Sequence, residues 1–170
     1  MKLPHIAALA TSLLLLTSVV QAQERAADPV KLQGYVERGQ HLITATDRNS
    51  GNVLRAGCTQ GSLGLSVTYG KDSPINGDVK FTFQSKHGGI VATGVNLQSK
   101  GVASTRSGAA NHANLAKAFQ AILDLGSRET MVLKIDLVDG ARPSNIGQFD
   151  ISGLGSTRAM HPVLQECGLI

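Results

Sequence analysis

The sequence predicts an α+β domain: a small antiparallel, sandwich-like β-sheet with one covering helix, a short C-terminal helix and one disulfide. Three observations predict it. Apolar side chains alternate with a period of two through the first two thirds of the chain and again after residue 130, the mark of half-buried strands. Between these regions Leu115, Ala118, Phe119, Ile122 and Leu123 recur at the spacing of one helical stripe. Two cysteines, Cys58 and Cys167, are the only ones present, and they follow an apparatus for export.

That apparatus is a secretory signal over 1–22. Lys2 supplies a positive start, residues 6–20 are almost unbroken in apolarity, and Val20-Gln21-Ala22 offers small residues for cleavage after Ala22. The run is shorter than the roughly 20 residues a spanning helix requires, and no cysteine follows it closely to accept a lipid. The expectation is a mature chain that is periplasmic or secreted and not inserted in a membrane. A flexible lead-in over 23–30, containing Ala26-Ala27-Asp28-Pro29, then precedes a single domain over 31–170.

Within the domain, Leu42 to Thr46 and Val53 to Cys58 read as a hairpin around the turn residues 47–52. Leu63, Leu65, Val67 and Tyr69 face one way while Gly64, Ser66 and Thr68 face the other. After a turn containing Asp72-Ser73-Pro74, Val79, Phe81 and Phe83 alternate with polar neighbours, His87-Gly88-Gly89 turns the chain, and Val91 to Leu97 returns it. The helix is expected to be capped by Asn111 and stopped by Gly126. Met131, Leu133, Ile135 and Leu137 form the clearest strand, followed by a turn at Asp139-Gly140-Ala141-Arg142-Pro143 and a short strand through Gln148–Ile151. A last short helix runs from near Ser156 into Cys167, with Pro162 expected to bend it or mark a fresh start.

Export into an oxidising compartment and the presence of just two cysteines predict a Cys58–Cys167 bond. The Cys-x-x-Cys spacing of a redox pair is absent, so the bond is read as structural. The terminal segment has few apolar side chains beyond Met160, Val163 and Leu164, which gives such a bond a mechanical purpose.

The charge balance excludes one class of partner. The formal charge is +4, and removal of Lys2, the only charged side chain in 1–22, leaves +3. These basic residues are scattered singly, there is no Trp, and Phe and Tyr together number six, so no stacking platform for nucleic acid exists.

Local catalytic signatures are also missing. There is no Gly-x-Ser-x-Gly, Ser-x-x-Lys, His-Glu-x-x-His or phosphate-cradling glycine loop. His41, His87, His112 and His161 stand apart in sequence, so no metal or other cofactor is expected. Asp47-x-Asn49-x-Gly51 resembles a calcium loop only superficially, because the later ligands and the terminal glutamate are absent; an Asx turn is the expected conformation. Ser104-Thr105-Arg106-Ser107-Gly108 reads as loop chemistry before the helix, and Asp72 and Asp78 flank turns. No catalytic residue is nominated, and the chain is expected not to be an enzyme.

Two regions carry a family resemblance. Gln148-Phe149-Asp150-Ile151-Ser152-Gly153-Leu154, followed by Met160-His161-Pro162-Val163-Leu164-Gln165-Glu166-Cys167-Gly168, resembles the Phe-Asp-Leu-x-Gly-Leu and Pro-Leu-x-x-Ala-Cys ending of type VI secretion system-associated proteins of the VasI and TagO kind. Val53-Leu54-Arg55-Ala56-Gly57-Cys58 is similar to that family's Leu-x-Ile-Arg-Cys strand, although Gly57 stands where the family places Arg directly before Cys. The resemblance implies an accessory, binding role in the cell envelope, with an envelope protein as partner. The same exported, strand-rich layout also suits invasion-associated locus B-like proteins, a periplasmic inhibitor or immunity protein against a cell-wall hydrolase or toxin, and a small secreted hydrolase.

Overall fold

The computed structural model describes residues 28–70, 75–86, 88–138 and 144–170. The expected signal over 1–22, most of the lead-in, the turns at Asp72–Pro74 and Asp139–Pro143, and His87 lie outside the described residues. Among the described residues nine strands and two α-helices follow one another: β1 (Gln33–Glu37), β2 (Gln40–Thr46), β3 (Val53–Thr59), β4 (Ser62–Thr68), β5 (Gly77–Ser85), β6 (Gly88–Leu97), β7 (Val102–Thr105), α1 (Ala109–Leu123), β8 (Thr130–Val138), β9 (Ser144–Ser152) and α2 (Ser156–Glu166). The fold class is the predicted one, an antiparallel sheet with two helices and one disulfide.

All nine strands belong to one sheet in the order β1-β2-β3-β4-β7-β6-β5-β8-β9, with every neighbouring pair antiparallel. Directions alternate across the sheet, so β1 and β9 at its two ends run parallel to each other. The chain just before β1 joins those ends. Val30 donates its N–H to the Asp150 carbonyl at 2.7 Å and accepts from the Ser152 N–H at 2.9 Å, a parallel bridge to Ile151. The sheet therefore curls until its ends touch.

The inward face of this curl is where the period-two pattern points. Leu54 and Ala56 of β3, Leu63, Leu65 and Val67 of β4, Phe81 and Phe83 of β5, Met131, Leu133 and Ile135 of β8, and Phe149 and Ile151 of β9 are all buried in one core. The expected helical stripe closes it: Leu115, Ala118, Phe119 and Ile122 of α1 are buried, and Phe119 meets Phe83 edge to face at 6.5 Å between ring centroids. Close approach of strands depends on Gly94 of β6, where an ideal Cβ would stand 2.3 Å from the Ser104 carbonyl oxygen and 2.6 Å from Cε2 of Phe81. No larger residue fits there without displacement of backbone.

Five expectations change. Residues 33–37 form a strand that the sequence pattern did not mark, because both of its faces are largely exposed and no alternation results. Ser104 and Thr105 belong to the short strand β7, not to a loop. Helix α1 starts at Ala109 after Gly108, so Asn111 is an internal, buried residue and not the N-cap. Its side chain serves the sheet: Oδ1 accepts from the Thr93 N–H at 2.9 Å, while Nδ2 donates to the carbonyls of Thr93 and Arg106, each at 2.8 Å. The helix ends at Leu123 with Asp124 as its C-cap, before Gly126 is reached. Finally, α2 runs through Pro162 without a fresh start, and Met160, Val163 and Leu164 are all buried.

Candidate binding groove

A groove of about 630 Å3 lies between β1 and the start of α2. Its first wall is set by the β1–β2 hairpin. Arg38 and Gly39 take φ values of 51° and 81°, the left-handed pair that a two-residue type I′ turn requires. In such a hairpin the residues flanking the turn exchange hydrogen bonds, and bonded pairs then alternate outward. Glu37 with Gln40, Tyr35 with Leu42, and Gln33 with Thr44 are thus the bonded pairs. The N–H and C=O groups of Gly34 and Val36 consequently point away from β2, along the free edge. Among the described residues neither makes a backbone bond to another element.

The second wall is α2, held in place at both ends. At its end Cys167 is bonded to Cys58 of β3, with Cα atoms 5.5 Å apart across a sequence separation of 109. Beside the disulfide, Oε2 of Glu166 accepts from the His41 N–H at 3.1 Å. At its start the buried Ser156 Oγ donates to the Gly153 carbonyl at 2.8 Å. The middle of the helix approaches β1 closely because Gly34 has no side chain: its Cβ would stand 3.1 Å from the Ala159 carbonyl oxygen.

The groove carries apolar surface with a basic margin. Val36 and Leu154 line it and are exposed, at 59% and 46%. Lys31 and Arg158 also line it, and no Asp or Glu does. The Tyr35 hydroxyl, beside the groove, is buried without a hydrogen-bond partner among the described residues.

The residues singled out in the sequence are dispersed. The Asp47 carboxylate is consumed locally, accepting from the N–H groups of Asn49 at 3.0 Å and Ser50 at 3.2 Å and from the Ser50 hydroxyl. This is the expected Asx turn. Burial acts to raise the Asp47 pKa, but the three donors outweigh it and hold the carboxyl below its ordinary range. His41 is on the exposed hairpin, His161 is exposed on α2, and His112 uses Nδ1 to accept from the Leu63 N–H at 3.0 Å. Asp78 pairs with Arg106, and Thr105 Oγ1 bridges β7 to the backbone of Leu65. Among the described residues no three His, Cys, Asp or Glu side chains are grouped to hold a metal ion, and no helix is long and apolar enough to cross a membrane.

Sequence reasoning found both cysteines but missed the groove. Its signal was present in Gly34 with an apolar Val36 and no charged residue between Lys31 and Glu37, a composition unusual for an unpaired edge. No known protein family, curated protein sequence or solved structure matches the chain.

Proposed function

We propose that this chain is an exported accessory protein of the cell envelope that binds a protein partner and performs no turnover, in the manner of the type VI secretion system-associated proteins its sequence resembles. The observation that carries the reading is the groove, in which an unpaired strand edge, exposed apolar side chains and a rigidly held helix adjoin. Protein recognition uses these features; they supply no nucleophile paired with a base. The Cys58–Cys167 bond agrees with residence in an oxidising space after cleavage at Ala22.

Affinity capture from periplasmic extract, followed by mass spectrometry, tests the role. A reproducible envelope partner is expected, together with an intact mass for the mature chain that begins near Gln23. An uncleaved species extracted only with membranes would contradict export. Hydrolysis of peptidoglycan, ester or peptide substrates that one Ser, His or Asp substitution abolishes would replace the binding role with catalysis.

A further inference from the structure

We infer that the groove beside β1 takes an extended, acidic segment of the partner protein, which adds to the sheet along the free edge of β1. The inference rests on the binding role proposed above and specifies its mode and the chemistry of the segment.

The hydrogen-bonding groups come first. Gly34 and Val36 present two N–H donors and two carbonyl acceptors in the alternating pattern that an added strand matches. Edges are commonly protected by charged side chains, prolines or bulges; in Gln33–Glu37 the one such device is Glu37 beside the turn, and Gln33–Val36 carry no charge, proline or bulge. The apolar contribution comes from Val36 and Leu154, whose exposure on either side of the groove is unusual among the large apolar residues of this chain.

Charge selects the sequence of the occupant. Lys31 and Arg158 border the groove, while Glu37 and Glu166 lie outside its lining and Glu166 already accepts from His41. A segment with Asp or Glu flanking an apolar residue satisfies both the basic margin and the apolar walls. A second copy of β1 would bring only Glu37 as an acid.

The test uses the mature protein with a photo-crosslinking amino acid in place of the exposed Leu154, irradiated in periplasmic extract. The adducted segment is sequenced, synthesised as a peptide, and titrated against wild type, Val36→Pro, and the double variant Lys31→Glu with Arg158→Glu. Val36→Pro removes one edge donor at a position where an edge strand tolerates proline. The double variant leaves the backbone intact and reverses the charge, and melting curves establish that each variant is folded. The expected result is an adduct on an acidic segment whose peptide binds both variants about tenfold more weakly, or worse. An adduct on a second copy of this chain, on another part of the same chain or on a basic segment would overturn the inference. So would a peptide that binds Val36→Pro as well as wild type, although a partner still captured in that case leaves the binding role standing. Recovery of no partner by either capture or crosslinking removes the binding role and this inference together.

Discussion

The Ala159 carbonyl oxygen lies 3.1 Å, and its Cα 3.2 Å, from the position that a Cβ on Gly34 would occupy. Both atoms are backbone of α2, which is fixed at its far end by the disulfide, so the helix cannot turn aside as a flexible side chain could. Gly34→Val is therefore expected to lift α2 from β1 at a cost of about 1–3 kcal/mol, comparable with overpacking in a core. Chemical denaturation of the wild type and Gly34→Val in the same buffer measures it; an unchanged midpoint would mean that the helix yields freely.

Cys167→Ser should lower stability by roughly 2–5 kcal/mol, as expected for loss of a bond that constrains so long a loop. Because Met160, Val163 and Leu164 are buried in the core, α2 should remain docked under mild conditions and the loss should appear chiefly as a lower melting temperature. Non-reducing peptide mapping checks the premise, and limited proteolysis checks the docking. Immediate cleavage within α2 of the folded variant would show that the disulfide alone holds it.

Asn111→Ala removes four hydrogen bonds and leaves the Thr93 N–H and hydroxyl and the carbonyls of Thr93 and Arg106 without this partner. A loss of about 2–4 kcal/mol is expected, larger than for an ordinary helix position because a buried unsatisfied group costs more than the bond contributed. Asn111→Asp should be at least as harmful, since a carboxylate oxygen would face two carbonyl oxygens. Thermal unfolding of both variants distinguishes this sheet-tethering role from simple helix capping, in which Asp would be tolerated.

Burial pushes the Tyr69 hydroxyl up to about 12 from its ordinary 10.0, and no partner reaches it among the described residues. The folded state then holds this proton more tightly than the unfolded state. The associated stability is complete below pH 10 and is lost as pH rises from 10 towards 12. Tyr69→Phe should unfold with a smaller alkaline loss and, at neutral pH, should be neutral or more stable by up to about 1 kcal/mol, because the hydroxyl is buried without compensation. Asp47 has the opposite sign: its lowered pKa contributes stability above the ordinary carboxylate range that is lost as pH falls through its folded value. Urea midpoints across pH for wild type, Tyr69→Phe and Asp47→Ala measure both effects.

The elements legible from the amino-acid sequence are those whose burial is periodic. Leu63, Leu65 and Val67 of β4, the Met131–Leu137 series of β8 and the Leu115–Ile122 stripe of α1 point inward as their spacing requires, because each element must hide one apolar face. The Asx turn at Asp47 was legible for a similar reason: all of its donors lie within three residues. Cys58 and Cys167 were paired by elimination. Features that depend on distant partners emerged with the folded chain. It inserted β7 between β4 and β6, turned Asn111 from a cap into a tether for Thr93, and brought Val30 to Ile151 so that the sheet curls on itself. The groove belongs to this second group. β1 has two exposed faces and no periodic signature, and its edge became a wall only because α2 was docked beside Gly34 by contacts more than a hundred residues away in sequence. Local periodicity reports which face is buried; long-range contacts determine which edge stays open.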